Sequence, residues 1–196
     1  HWQSLGERTR LSVDANYQRA DGEYPFELKN GQLITEEKRI NTDIESIQGE
    51  ANLFHTFQDE SELNVKTYYF HSQRGSPGAV ILYNKESDER LWDDNFFAQA
   101  RYKKVFNPQW TLQAQGKYNY SWNKYEDTGA EYVGGKQTDT NRQKEYYLSA
   151  SVLYQPAKGW SLSLSQDGFI NKLHTNGTNS PEPTRYSSLT ALNIRY

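Results

Sequence analysis

The sequence predicts an all-β fold, an antiparallel up-and-down meander of about eight strands that forms part of a transmembrane β-barrel. Three observations predict it. Apolar and polar residues alternate with period two over segment after segment. Aromatic residues reach 14%, with 15 Tyr and 5 Trp, in a chain that is only 35% hydrophobic. Short and long connections between the alternating segments take turns along the 196 residues.

The second observation separates a barrel from a soluble domain. A water-soluble chain this polar, with a strongly negative mean hydropathy, often has too little apolar surface to offset the entropy of folding. A barrel needs apolar side chains only toward lipid, while its lumen face and outer loops stay polar.

The first strand runs from Arg8 to Ala20, where Leu11, Val13, Ala15 and Tyr17 alternate with Ser12, Asp14, Asn16 and Gln18. The second covers about Asp43 to Phe57, with Ile47, Gly49, Ala51, Leu53 and Phe57 on one face. After Gln58-Asp59-Glu60-Ser61, the third runs from Glu62 to Ser72 with Leu63, Val65, Thr67 and Tyr69 together. The fourth is about Leu91 to Phe106, with Phe96, Ala98, Ala100 and Tyr102 opposed to Gln99, Arg101 and Lys103. Asn107-Pro108-Gln109 is a turn signal. The fifth, Trp110 to Trp122, sets Trp110, Leu112, Ala114, Gly116, Tyr118, Tyr120 and Trp122 against an all-polar face. The sixth is about Gln143 to Gln155, with Tyr146, Leu148, Ala150, Val152 and Tyr154 aligned, and Pro156-Ala157-Lys158-Gly159 turns it. The seventh starts at Trp160 with Leu162 and Leu164. The eighth is about Arg185 to Tyr196, with Thr190, Leu192, Ile194 and Tyr196 on one side.

Three connections are short (58–61, 107–109, 156–159) and four are long (21–42, 73–90, 123–142, 167–184). Barrels of the bacterial outer membrane show this asymmetry, with short periplasmic turns and longer extracellular loops. A soluble sandwich has no reason to collect its long loops at one end. Phe57, Phe106, Trp110, Tyr154 and Trp160 flank the short turns. Tyr68, Tyr69, Trp92, Phe96, Tyr120, Trp122, Tyr146 and Tyr147 lie toward the other end. Two such rows match the interfacial girdles of a membrane barrel, although aromatic residues favour any strand.

Several function classes find no support. A net charge of −3 does not point to nucleic acid. With no cysteine there is neither a disulfide framework nor a thiolate metal site. No apolar run approaches the ~20 residues of a membrane helix. His1, His55, His71 and His174 lack metal-ligand spacing. Acidic groups such as Glu86, Asp88, Glu89, Asp93 and Asp94 read as solvated charges. Gly134-Gly135 is a turn rather than a phosphate loop. Asn176-Gly177-Thr178 fits a glycosylation acceptor that an envelope protein would rarely use. No catalytic residue, metal or cofactor is therefore expected. The start at His1 and the strand-like end at Tyr196 mark residues 1–196 as a single, partial barrel domain.

The segment from Arg74 through Gly75-Ser76-Pro77-Gly78-Ala79 to Val80 passes from a strand into a turn-rich stretch and then into apolar residues. It reads either as a loop packed by its own side chains or as one folding toward the lumen to meet a ligand. Asp21-Gly22-Glu23-Tyr24-Pro25-Phe26, then this segment with Gln73 before it, then Arg90-Leu91-Trp92-Asp93-Asp94-Asn95-Phe96-Phe97 and Tyr120-Ser121-Trp122-Asn123-Lys124-Tyr125-Glu126-Asp127, in that order, resemble the barrel domain of TonB-dependent outer-membrane receptors of the cobalamin- and siderophore-receptor type. The likeness runs over nearly the whole chain.

The resemblance implies a barrel of about 22 strands with an N-terminal plug, of which this chain supplies roughly a third from the middle. It implies import of a scarce nutrient, driven through TonB by way of a part not present here. The expected partners are outer-membrane lipid, the plug and remaining barrel of the same protein, TonB and a small nutrient ligand, with no nucleic acid. Aromatic and Arg side chains give large contact area at modest entropic cost, so the expected substrate contacts are Tyr24, Arg74, Tyr83, Trp92 and Tyr132. Two other readings stay open. One is a complete eight-stranded barrel with a structural or adhesion role, its interior filled by side chains. The other is an envelope lipid hydrolase, which needs a Ser–His pair. His55 and His71 are the strand-borne histidines in this reading, and the sequence shows no partner for either.

Overall fold

The computed structural model describes residues 2–78, 87–128, 132–176 and 182–196, and every regular element among them is a strand. β1 (Trp2–Ser4) and β2 (Thr9–Ala20) are followed by β3 (Tyr24–Asn30) and β4 (Leu33–Arg39). Then come β5 (Ile44–Thr56), β6 (Glu62–Ser76), β7 (Glu89–Asn107) and β8 (Trp110–Asp127). β9 (Gln137–Tyr154), β10 (Ser161–Thr175) and β11 (Thr184–Arg195) complete the chain. One antiparallel sheet takes them in the order β1-β2-β5-β6-β7-β8-β9-β10-β11, while β3 and β4 pair only with each other. β1 and β11 are the edges and do not touch, so the sheet is not closed into a barrel.

The pairing register carries the alternation from strand to strand without slipping. Val13, Ala51, Thr67, Ala98, Tyr118, Tyr146, Ile170 and Tyr186 face one another in one row across eight strands. The row one residue along is Asp14, Glu50, Tyr68, Phe97, Asn119, Glu145, Asn171 and Arg185. Directly paired residues share a face and sequence neighbours take opposite faces, so one side of the sheet is apolar and the other polar. A register irregularity falls between Val105 and Asn107, beside the turn into β8.

Among the described residues no hydrophobic side chain is buried. The buried groups are small or polar: Ser12, Ser61, Ser72 and Arg39. The apolar face lies open instead, with Leu148 at 72%, Leu192 at 65% and Leu164 at 52% exposure. Apolar surface on this scale is driven out of water. Among the described residues no second layer covers it.

Three expectations are corrected. The connection 21–42 is not a plain loop: it holds the β3–β4 hairpin, whose two-residue turn opens on Gly31 at φ 62. Such a turn needs a positive φ at that position, which glycine adopts without steric cost. The other three long connections are shorter than expected, because β6, β8 and β10 run on to Ser76, Asp127 and Thr175, and β7 and β9 begin at Glu89 and Gln137. In β6 and β8 backbone pairing continues there although both faces have become largely polar, whereas the added part of β10 still carries Phe169 and Ile170. Finally, Tyr68 and Tyr147 belong to the polar face, so the aromatic row of the apolar face consists of Tyr69, Phe96 and Tyr120, which are direct neighbours, with Trp92, Trp122 and Tyr146 on the same face.

Candidate functional site

The polar face carries a stripe of rings and charges that crosses β5 to β10. Register brings Tyr68 opposite Phe97, and their rings stack at 5.3 Å and 22°. Lys117 holds its ammonium 5.0 Å from the Phe97 centroid, within range for attraction to the ring face. On the next strands Tyr147 lies opposite Phe169, centroids 4.6 Å apart. The Tyr147 hydroxyl accepts from the Gln115 amide at 3.1 Å and donates to Asp167 at 3.2 Å. At the β5 end Lys66 pairs with Glu50 at 2.9 Å, and Asn52 donates to the same carboxylate at 3.1 Å. These rings are half-buried. Flat ring faces flanked by amides and single charges suit a ligand, or a protein segment, that is partly aromatic and partly polar.

The rim of the sheet at the long-loop end is held by a clasp. Asp43, just before β5, receives two hydrogen bonds from the Arg90 guanidinium, at 3.1 and 2.7 Å. That fork matches the carboxylate geometry, and it holds the Asp43 carboxyl below the usual carboxylate range against the opposing effect of burial. Beside it the Asn41 side-chain amide approaches the carbonyl oxygens of Ser76, Ser87 and Glu89 at 3.2, 2.5 and 2.8 Å. Asn41 sits at φ 55, a left-handed conformation that asparagine tolerates better than most residues. Gly75 makes room for it: a Cβ there would fall inside contact distance of the Asn41 carbonyl oxygen. Arg39, largely buried, donates to the Gly78 carbonyl. The first outer loop is thereby fastened to the second. At the opposite end Lys104 and Ser61 bond the turn residue Asp59 and pull its carboxyl far below the usual range.

The expected contact residues do not form one cluster. Tyr24 begins the β3 hairpin and is 53% exposed. Arg74 lies in β6 on the polar face and pairs with Asp93 at 2.7 Å. Trp92 lies in β7 on the same face as Phe96, the other side of the sheet, with the Lys124 ammonium 4.3 Å above its ring. The Tyr132 hydroxyl donates to Asp127 at 2.8 Å. Tyr83 lies outside the described residues, as do Ala79 and Val80 of the turn-rich segment and Gly177 and Thr178 of the glycosylation-like triplet. The ring stripe was missed as a unit, yet counting in twos from the apolar residues of each strand places Tyr68, Phe97, Tyr147 and Phe169 together.

The histidines have partners, though none is a serine: His55 Nδ1 lies 2.8 Å from the Thr9 hydroxyl and His71 Nδ1 lies 2.8 Å from Asp94. His174 is also strand-borne, in β10. Among the described residues no three His, Asp or Glu side chains gather as a metal site.

No protein-family model matches the chain, and none of the curated proteins does. Among solved structures it is similar to the ferric-catecholate import receptor Fiu of E. coli K12 in its open form, with a TM-score of 0.43 and 10% identity over 97% of this chain. The chain spans 44% of that receptor's length. A likeness of this size assigns no family and no residue roles.

Proposed function

We propose that this chain is a section of the wall of a TonB-dependent transporter of the bacterial outer membrane, which binds and imports a scarce nutrient such as a siderophore or cobalamin. One observation carries the membrane part of the reading: an apolar face, continuous across eight paired strands, that no part of the described chain covers. Lipid covers such a face, and closure onto further strands satisfies the two open edges, which cannot persist in a bilayer. The long connections then stand outside the cell and the short turns in the periplasm.

In this reading the wall performs no chemistry. The ring stripe and the clasped loops meet the nutrient or the plug, and energy arrives through TonB at the plug. The import part rests on the motif resemblance together with this polar, ring-bearing wall. The test is uptake of radiolabelled cyanocobalamin and of ferric catecholate and ferric hydroxamate siderophores by cells with and without the gene. Loss of one of these activities on deletion, and again when the proton-motive force is collapsed, supports import. Unchanged uptake, together with a mature outer-membrane protein no larger than this chain, sinks import and selects the complete eight-stranded barrel.

A further inference from the structure

Two rows of the polar face, toward the long-loop rim, carry almost no charge. In the first, Asn16, Gln48, Phe70, Asn95, Ser121 and Gln143 are successive cross-strand partners from β2 through β5 to β9. In the second, nearer the rim, the partners are Gln18, Ser46, Ser72, Asp93, Asn123 and Asn141. Asp93 is the ionisable member of these rows, and Arg74 neutralises it at 2.7 Å. The amides are also unpaired. Elsewhere on this face Asn52 has Glu50, Gln115 has Tyr147 and Gln137 has Asp139. In the belt Asn141 donates to Asn123 at 3.0 Å. Among the described residues Asn16, Gln18, Gln48, Asn95 and Gln143 form no side-chain hydrogen bond to protein.

An unpaired carboxamide offers a donor and an acceptor side by side, the same pair that a hydroxyl offers. A ligand covered in hydroxyls and free of charge matches such a belt. An anionic metal chelate calls instead for free cations, and the Arg74 guanidinium is already held by Asp93. The rings add a second requirement. Phe70 lies within the belt, and the next row away from the rim holds the stacked Tyr68 and Phe97. A sugar ring carries hydroxyls round its edge and C–H groups on its faces, so its edge meets amides while a face lies on an aromatic ring. Neighbouring strands stand about 4.8 Å apart, close to the length of one sugar unit. A sugar chain crossing the strands therefore meets a new side chain of the belt at each unit.

We propose that this belt binds an uncharged oligosaccharide, with hydroxyls on Gln48, Asn95, Ser121 and Gln143 and one sugar face on Phe70. The proposal rests on the import reading above and changes only the nutrient carried. Absence of free charge in the belt selects a neutral ligand, and the pairing of amides with rings selects a sugar over a simple polyol.

The test is calorimetric titration of the full-length protein, extracted from outer membranes in a sugar-free zwitterionic detergent. The probes are maltohexaose, cellohexaose and xylohexaose, a galacturonate hexamer as the charged counterpart, and ferric catecholate and cyanocobalamin as the alternatives. At least one neutral hexasaccharide should bind, and the galacturonate hexamer should not displace it. N95L/Q143L should weaken that binding about thirtyfold, since each lost hydrogen bond contributes about a factor of five. Gln58→Leu, which removes an amide at an inner turn, should bind as wild type does. Because Asn95 and Gln143 bond no other side chain, N95L/Q143L should melt at the wild-type temperature, and N95A/Q143A, which adds no apolar bulk, should lose binding equally. Failure of every neutral hexasaccharide to bind overturns the proposal, as does equal binding by wild type and both variants. Binding of ferric catecholate or cyanocobalamin alone overturns it while leaving import intact. A protein absent from the outer-membrane fraction refutes the import reading itself.

Discussion

In water, Leu148→Arg should cost next to nothing. The leucine is 72% exposed, and substitutions at such surface positions usually stay within about 0.5 kcal/mol. In lipid the same change is expensive. The stretch of β9 from Lys144 to Tyr154, at about 3.3 Å per step and a tilt of about 40°, spans about 25 Å, the height of an outer-membrane apolar band. Leu148 falls near the middle of that interval, where an arginine on the lipid face costs about 2–4 kcal/mol. Ser149 is one residue along and points to the polar side, so Ser149→Arg should cost about nothing. The assay is reversible denaturant unfolding of the full-length protein from phospholipid vesicles, followed by tryptophan fluorescence. A difference of about 2 kcal/mol or more between the two variants is expected. If the two agree within about 0.5 kcal/mol, the apolar face does not meet lipid and the membrane reading is wrong.

Other predictions follow from the rim and the wall. The Arg90 hydrogen bonds lower the Asp43 carboxyl below its ordinary value of 3.8. Its contribution is therefore fully present above that value and is lost as pH falls through the lower folded value. With the side chain 40% exposed, screening holds this to under about 1 kcal/mol. Unfolding midpoints at about pH 6 and about pH 3 should differ more for wild type than for Asp43→Asn, and equal differences would reject the clasp. Gly75→Ala should cost about 1–3 kcal/mol, because the new methyl displaces Asn41. Gly49→Ala, which would meet only the Asp14 carbonyl oxygen at 3.9 Å, is the comparison that should stay near wild type. Phe97→Ala with Phe169→Ala should leave outer-membrane assembly intact while raising the half-saturating nutrient concentration about tenfold; unchanged uptake would remove the ring stripe from the binding surface.

The eight long strands were legible because a sheet with one apolar and one polar face forces alternation, and Trp110 through Trp122 shows it residue by residue. The upper reaches of the strands were not legible. Beyond Ser72 or Trp122 polar residues occupy both faces, so little in the side chains marks the strand while the backbone ladder continues to Ser76 and Asp127. The β3–β4 hairpin did leave a signal, Gly31 opening a two-residue turn between Tyr24–Asn30 and Leu33–Arg39. It was hidden by charged residues on both arms. Among the contact residues, counting in twos from Phe96 puts Trp92 on the outward side, so its separation from Arg74 follows from parity alone. Asn41 is a different case. Its hold on Ser76, Ser87 and Glu89 depends on three segments meeting above the sheet, which no local pattern encodes.

The unslipped register sets a rule for how this wall can vary over generations. Losing or gaining one residue inside β8 or β9 would swap inside for outside along everything beyond it. Viable length changes within strands must therefore come in twos, or be absorbed by a local irregularity like that at Val105 and Asn107. Single-residue insertions and deletions are confined to the connections, so among descendants of this gene the loops drift in length while the strands keep count.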